Sequence, residues 1–339
     1  NNKKKSISHI FANFDTDLAW KSFTQSDLLV SIKKVSSDTY LKIFDNNIYK
    51  NKTSPKNYDV LKSEAKLILR NKSYNFTTGF QSYEDLNLSN TDRYQFILPY
   101  YDFNTQLFKN DFDGTVNFSS NGSNDLNNTN NLRSKVVNDL NYQSSDFISK
   151  NGFKSKYNIY FKNLNTIAKN DSIYKTSPQM ELMSIFELNT SLPLLKQTAN
   201  NTNILTPMAS LRFNPGDMKD YSSSDRSINA SSIFDINRLG IDDSFEQGKS
   251  LTVGLDYKKT KLNDINKFFE TRIATVYRDK KEEFIPLTSG INDKDLNIFG
   301  SITNNFSEFT KISYDFIIDD DLNSLKYNSL KTSITYKNF

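Results

Sequence analysis

The sequence predicts an all-β fold of antiparallel strands, and this prediction depends on three observations. Apolar and polar residues alternate with a period of two in many short segments, as they do in strands, where successive side chains point to opposite faces. Aromatic residues make up 13% of the 339 residues, although the mean hydropathy is only −0.63. Clusters of Asn, Asp, Gly and Ser separate the alternating segments, as turns require.

The alternation is clearest in residues 61–70. Apolar or small residues occupy the odd positions, and the even positions carry Lys62, Glu64, Lys66 and Arg70. The same pattern recurs in residues 72–81, 93–100, 156–162, 251–257, 311–318 and 333–337. Few windows show the i, i+3, i+4 spacing of a helix. At about 20 residues for a strand and its connection, the chain has room for roughly 16 strands.

Turn-forming residues predict where the strands end. Asn151-Gly152 lies between two alternating runs and predicts a tight hairpin. Turns are also predicted at residues 121–125 and at the acidic run Asp319–Asp321. Longer loops are predicted at Leu86–Asp92 and at Ser119–Asn131, the second because it is a low-complexity Asn/Ser run.

The composition favours an antiparallel transmembrane β-barrel. Low mean hydropathy combined with 18 Tyr and 26 Phe suits strands that turn one face to lipid and the other to a wet lumen. No apolar run reaches the length of about 18 residues that a helical span needs, and no signal peptide is visible. Alternation alone would also fit a soluble β-sandwich or a secreted β-adhesin. The aromatic residues favour the barrel, because Tyr and Phe line both membrane interfaces.

Nothing in the sequence predicts an enzyme, a cofactor or a metal site. There is no cysteine, and the single histidine, His9, is more simply a strand residue than part of a Ser-His-Asp arrangement. The acidic residues Asp242-Asp243 and Asp319–Asp321 are expected in solvated turns, because nothing around them organises the ligands of a cation. The 43 basic and 39 acidic residues are interspersed, which excludes the clustered charge of a nucleic-acid-binding protein.

Residues 204–257 resemble the central signature of the LptD carboxy-terminal barrel family. The family pattern is an entering strand with Leu-Thr-Pro (here 205–207), an arginine-containing strand (211–213), an Asn-Leu-Phe-like segment (232–234) and then an Asn-Arg-x-x-G-x-D-x-x-E-x-G run. That run occupies residues 237–248, and it is shorter by one residue than the commonest family form. An alternating strand, residues 251–257, follows as expected.

Other segments resemble the family in the same order along the chain. They are residues 36–41 (a Ser-Asp-x-x-Tyr-Leu segment), 98–100 (a Leu-Pro strand start) and 268–279 (the strand after the signature). The family resemblance therefore extends over nearly the whole sequence.

The resemblance points to polar residues of the signature as a candidate site. They are too polar to face lipid, so we expect them at a strand end or in the lumen, where Arg238 can pair with a carboxylate. A polar extracellular loop without such a pair is the alternative. The cluster comprises Asn237, Arg238, Asp242, Asp243 and Glu246. Separately, the charged face of residues 61–70 predicts lumen-facing side chains at Lys62, Glu64, Lys66 and Arg70.

The resemblance implies an outer-membrane translocon component that inserts lipopolysaccharide (LPS) into the outer leaflet through a lumen and a lateral gate. The implied partners are LPS, an LptE-type lipoprotein plug, the periplasmic LPS-bridge proteins and the lipids of the outer membrane. Residues 1–339 would then be one partial barrel domain that lacks the periplasmic N-terminal domain and the closing strands. A generic passive diffusion porin is the main functional alternative.

Overall fold

The computed structural model describes residues 8–47, 53–88, 93–110, 114–294, 296–307 and 309–335. These residues form seventeen strands, one short helix (α1, Tyr40–Ile43) and 3-10 turns at Asp45–Asn47 and Leu287–Ser289. Among the described residues, no helix is both long enough and apolar enough to cross a membrane.

The strands have lengths that range from a two-residue bridge to seventeen residues. Their bounds are β1 His9–Asp17, β2 Gln25–Val35, β3 Val60–Arg70, β4 Tyr74–Asp85, β5 Tyr94–Asn110, β6 Gly114–Asn127, β7 Asn131–Gln143, β8 Phe147–Ile148, β9 Lys154–Lys169, β10 Gln179–Ser191, β11 Leu194–Gln197, β12 Asn201–Asn214, β13 Gly248–Lys261, β14 Asp264–Tyr277, β15 Ile298–Ser307, β16 Thr310–Ile318 and β17 Leu325–Ile334.

Strands that follow one another along the chain pair side by side in one sheet. The registered pairs are antiparallel, from β1 with β2 to β16 with β17. No registered pair of the described residues joins β17 to β1. The predicted all-β fold of antiparallel strands is confirmed, with seventeen strands where about 16 were expected.

Two predicted turns are present. At Asn151-Gly152, β8 and β9 form a hairpin in which Gly152 has a φ of 84° and donates its N–H to the Ser149 carbonyl at 2.9 Å. At 319–324, the Asp319 carboxylate accepts the backbone N–H groups of Asn323 at 2.9 Å and Ser324 at 3.2 Å. Of the predicted loop Leu86–Asp92, residues 86–88 form a turn and residues 89–92 lie outside the described residues.

The predictions of a loop at Ser119–Asn131 and of a turn at 121–125 are wrong. Strand β6 continues to Asn127 and β7 begins at Asn131, so only residues 128–130 turn. Asn128 and Thr129 adopt the left-handed conformation there, with φ values of 50° and 54°. The Asn/Ser composition misled the prediction because both faces of this hairpin carry polar side chains, and pairing with neighbouring strands still satisfies the backbone.

The chain divides into two compact units. The first comprises residues 1–109, 116–140 and 162–182, and the second comprises residues 110–115, 141–161 and 183–339. In the first unit, Leu41 of α1 is fully buried in a small apolar cluster with Val35, Leu61 and Leu86. This cluster attaches the connection between β2 and β3 to the strand ends.

In the second unit, strands β12 and β13 have an apolar exposed side and a polar covered side. Leu211, Leu251, Val253, Leu255 and Ile273 are exposed and lie next to one another across β12, β13 and β14. We call this surface the apolar face. The residues that alternate with them are buried and include Ser210, Arg212, Ser250 and Thr252. A water-soluble sheet has the opposite arrangement, and a sheet that faces lipid has this one.

The longest connections of the second unit fold back over the covered side of the sheet. Residues 215–247, which we call the inserted loop, follow β12, and residues 278–297 follow β14. Their apolar side chains form one core with those of the strands beneath them. The core comprises Met218, Ile228, Ala230, Ile233, Leu239, Ile241, Ala274, Val276, Ile285, Ile291, Phe299 and Ile317.

Candidate functional site

The inserted loop carries the signature residues, and its backbone turns where the sequence places glycine. Gly240 and Gly248 have φ values of 63° and 81°, which side-chain-bearing residues rarely adopt. Asn237 stabilises the first of these turns, because its carboxamide oxygen accepts the N–H of Ile241 at 2.9 Å. These turns return the loop to the sheet, so that Arg238 and Glu246 both lie against β13.

Arg238 and Glu246 form a two-pronged ion pair inside the protein. Arg238 Nε donates to Glu246 Oε2 at 2.6 Å, and Arg238 Nη2 donates to Oε1. The guanidinium also donates to Thr252 Oγ1 at 2.9 Å and to Ser250 Oγ at 3.1 Å, both on β13. Paired donors of this geometry are the strongest contacts that a carboxylate makes in proteins. Arg238 therefore links two points in the C-terminal part of the loop to each other and to the sheet.

Two further arginines surround the same carboxylate. Arg278 donates from Nη2 to Glu246 Oε1 and from Nη1 to the Gln247 carbonyl at 3.0 Å. Arg212 of β12 lies with Nη1 3.9 Å from Glu246 Oε2. We call Arg212, Arg238, Arg278, Glu187 and Glu246 the arginine–glutamate cluster. All five side chains are buried.

Glu187 of β10 is the second carboxylate of the cluster. It accepts Arg212 Nε at 2.9 Å and the amide nitrogens of Asn158 and Asn189 at 2.7 Å each. Arg212 Nη2 also donates to the Asp235 carbonyl of the inserted loop at 2.6 Å. The strands thus bind the loop through charged side chains whose hydrogen bonds are largely satisfied, which a buried ion pair needs in order to be stable.

The electrostatics of the cluster keep Glu246 ionised. Burial alone would raise the pKa of the Glu246 carboxyl, but the positive charges of Arg238, Arg278 and Arg212 outweigh it and hold that pKa well below its usual range. The neighbouring Tyr221 donates its hydroxyl to the buried Asp243 carboxylate, and burial followed by this hydrogen bond raises the pKa of Tyr221.

The structure separates the five signature residues predicted as one polar cluster into different roles. Arg238 and Glu246 meet directly, Asn237 caps a turn, and Asp243 pairs with Tyr221. Asp242 is exposed. Asp243 therefore does not lie in the solvated turn that was expected for it.

The predicted lumen-facing residues share one side of β3, in the first unit. Lys62 Nζ lies 3.1 Å from Glu64 Oε2, while Glu64 Oε1 accepts Gln81 Nε2 at 2.7 Å and the Tyr100 hydroxyl at 3.1 Å. Tyr100 reaches Glu64 by passing over Gly79, which has no side chain to obstruct it. Lys66 lies farther along the same side, opposite Gly79, and Arg70 is exposed at the end of the strand.

Sequence reasoning missed Arg212, Arg278 and Glu187 as members of a site. The signal available for Arg212 was its position between Leu211 and Phe213, since an arginine that alternates with exposed apolar residues must point to the covered side. Glu187 has the same signal, between Phe186 and Leu188. Arg278 follows the last residue of β14, and nothing in its local sequence predicts its partner.

The other chemical candidates have structural roles. His9 Nδ1 lies 2.6 Å from the Tyr40 hydroxyl, and its ring stacks on Phe11. Within the part of the chain that the structure describes, no group of three or more His, Cys, Asp and Glu side chains is arranged to hold a metal ion.

Comparison with known proteins identifies the family. A family model described as LPS transport system D, LptD, matches residues 9–339. The chain belongs to the LptD family. The resemblance of residues 204–257 is thereby confirmed, and the inserted loop with its arginine–glutamate cluster is the part of this LptD-family chain that carries the signature. No curated protein matches the sequence.

Membership in the LptD family agrees with the arrangement of side chains. The family serves LPS transport and assembly at the outer membrane. An apolar exposed face and a polar covered face are what an outer-membrane strand requires. LptD proteins are transport and assembly proteins, and the cluster described here consists of buried ion pairs between the loop and its surroundings, which suit binding a loop in place.

Proposed function

We propose that this chain forms part of the translocon that inserts LPS into the outer leaflet through a hydrated lumen and a lateral gate. The observation that carries the proposal is the LptD family match over residues 9–339. In this scheme the sugar and phosphate portion of LPS moves along polar side chains, and its acyl chains leave sideways between weakly paired strands. No covalent bond is made or broken, so no catalytic residue is needed.

The polar side of β3 supports the hydrated path. Lys62, Glu64 and Lys66 alternate with apolar residues, and Glu64 is held by Gln81 and Tyr100 on the neighbouring strands. Fixed polar groups replace water around a sugar without large rearrangement, and lysines attract the negative charge of phosphates. An LptE-type plug and the periplasmic bridge proteins are the expected partners of the full-length protein.

The inserted loop supports a dedicated translocon over an open passive pore. Its apolar side chains share a core with β14, β15 and β16, and the arginine–glutamate cluster binds its C-terminal half at Asp235, Arg238 and Glu246. A loop held in this way occupies the covered side of these strands, which an open pore would leave to water. We propose that the loop stays in place while LPS passes.

Depletion of the full-length protein tests the proposal. We expect newly made LPS to stop reaching the cell surface, and an unchanged amount of surface LPS would contradict the function.

A charge reversal then tests the polar path. Lys62→Glu combined with Lys66→Glu should lower the LPS that reaches the surface, because phosphates would meet negative charge. Lys72→Glu, in the exposed turn after β3, is the matched control and should leave it unchanged. Heat-modifiable migration checks that each variant is folded.

A further inference from the structure

The apolar face has a basic boundary at each end, and strand β13 shows both. Its exposed side reads Lys249, Leu251, Val253, Leu255, Tyr257, Lys259 and Lys261 in order. Lys249 and Lys259 are ten residues apart, which corresponds to about 33 Å along a strand. At a tilt of roughly 40° this length crosses about 25 Å of membrane, the height of the apolar band of an outer-membrane barrel.

The neighbouring strands change character at the same level. Antiparallel register places Lys259 beside Asn203 of β12 and Phe269 of β14, and Phe269 beside Asn304 of β15. One row nearer the middle of the strands, Tyr257 lies between Leu205 and Thr271. The surface therefore passes from aliphatic to aromatic to basic and amide side chains, as it does where a membrane protein leaves the hydrocarbon and meets the headgroups.

A groove of about 640 Å³ lies at the boundary that Lys259 marks. Its basic lining consists of Lys259, Lys261 and Lys267, and its aromatic lining includes Phe269 and Phe306. Lys267 Nζ lies 3.2 Å from Asp264 Oδ2, an exposed pair that contributes little to stability. Three lysines and one acid around a groove beside an apolar surface provide net positive charge next to hydrocarbon.

The lengths of the connections show which side of the membrane this groove faces. It lies at the end where residues 262–263 join β13 to β14, whereas the opposite end carries the inserted loop and residues 278–297. Outer-membrane barrels have short periplasmic turns and long extracellular loops. The groove therefore faces the periplasmic leaflet.

We propose that this groove binds the headgroup of an anionic phospholipid of the periplasmic leaflet. Lys259 and Lys261 would contact its phosphate, Asn201 and Asn304 would hydrogen-bond its polar groups, and its acyl chains would lie on Leu255 and Ile273. Charge complementarity and continuity with the lipid-facing surface favour a lipid over an acidic protein segment. The inference goes beyond LPS transport and does not depend on it.

Native mass spectrometry of the full-length protein tests the site. The protein is incubated with phosphatidylglycerol or with zwitterionic phosphatidylcholine, and retained lipid is measured. We expect preferential retention of phosphatidylglycerol, and a fall of about fivefold for each lysine removed in the variant Lys259→Ser with Lys261→Ser. The variant Lys259→Arg with Lys261→Arg keeps the charge and should retain the lipid. Equal retention by the serine variant and the unmodified protein would overturn the proposal.

Two controls separate this site from general attraction of lipid to lysine. Lys249→Ser removes a lysine from the same face of the same strand but outside the groove, where Lys249 lies over the Phe213 ring. It should keep the preference for phosphatidylglycerol, and a loss as large as that of the groove variant would refute a specific site. Inorganic phosphate alone should not displace the lipid at equal concentration, and displacement would identify a phosphate site without a lipid. Unchanged heat-modifiable migration confirms that the variants are folded.

Discussion

At the scale of single residues, Glu246 is the group on which the buried charges converge. Arg238 and Arg278 both donate to it, and Arg212 lies close by while pairing with Glu187. These residues come from the inserted loop, from the connection after β14 and from two strands. The cluster therefore works as an attachment between the loop and the sheet, and its loss should be visible in the loop first.

Arg238→Ala should release the inserted loop. The substitution removes the two-pronged partner of the buried Glu246 and leaves Arg278 as the remaining donor to that carboxylate, so the attachment should weaken. We expect limited proteolysis of the folded protein to cleave within residues 215–247 much faster than in the unmodified protein. Asp242 is an exposed residue of the same signature. The variant Asp242→Asn is therefore the control and should change the cleavage rate little.

A second substitution distinguishes a charge effect from a packing effect. Arg238→Lys keeps a positive charge beside Glu246 but loses the two-pronged hydrogen bond, so it should be cleaved more slowly than Arg238→Ala. Equal cleavage of the two variants would show that the charge of Arg238 does not contribute to the attachment.

Acid should weaken the attachment only well below neutral pH. Because the folded-state pKa of Glu246 lies below the unfolded value of about 4.3, its stabilising contribution is complete above that pH and is lost as the pH falls toward the folded-state pKa. Pepsin digestion between pH 4.5 and 2 should cleave the loop progressively. Glu246→Gln should be cleaved faster at pH 4.5, and its difference from the unmodified protein should shrink as the pH falls. A difference that stays constant with pH would contradict the assignment.

At the scale of strands, the apolar face of β13 should tolerate charge only at its ends. Val253 lies midway between Lys249 and Tyr257 on that face. Val253→Arg should destabilise the folded protein by about 2–4 kcal/mol, as arginine does near the bilayer midplane. Urea unfolding in lipid vesicles measures this. Lys259→Arg, at the boundary, is the matched control and should be near neutral. Equal stability of both variants would show that the face does not contact hydrocarbon.

The sequence predicted the strands best where one side is consistently apolar. Residues 61–70 and 251–257 lie within β3 and β13, because alternation separates an apolar side of a strand from a polar side. The prediction from sequence failed at β6, where residues 121–125 have the composition of a turn but are held in a strand by the neighbouring strands. Local composition cannot report such pairing, since the partners lie on other strands.

The candidate site was predictable only in part, for the same reason. Asn237, Arg238 and Glu246 lie close together in the sequence and could be recognised from the family pattern. Glu187 and Arg278 precede and follow them by several strands, and the fold alone brings them to Glu246 and Arg212. Alternation shows that Glu187 and Arg212 lie on the covered side, but it does not identify the partner of either residue.

At the scale of the whole protein, the attached loop offers a test of the proposed translocon against a passive pore. Planar-bilayer recordings of the full-length protein with the LptE-type plug proposed for it should show little steady conductance. Arg238→Ala should raise the conductance, because the freed loop no longer packs on the covered side of β14, β15 and β16. Asp242→Asn should behave like the unmodified protein. A large ohmic conductance that is the same in all three proteins would instead identify a diffusion porin, since the attachment of the loop would then have no bearing on passage.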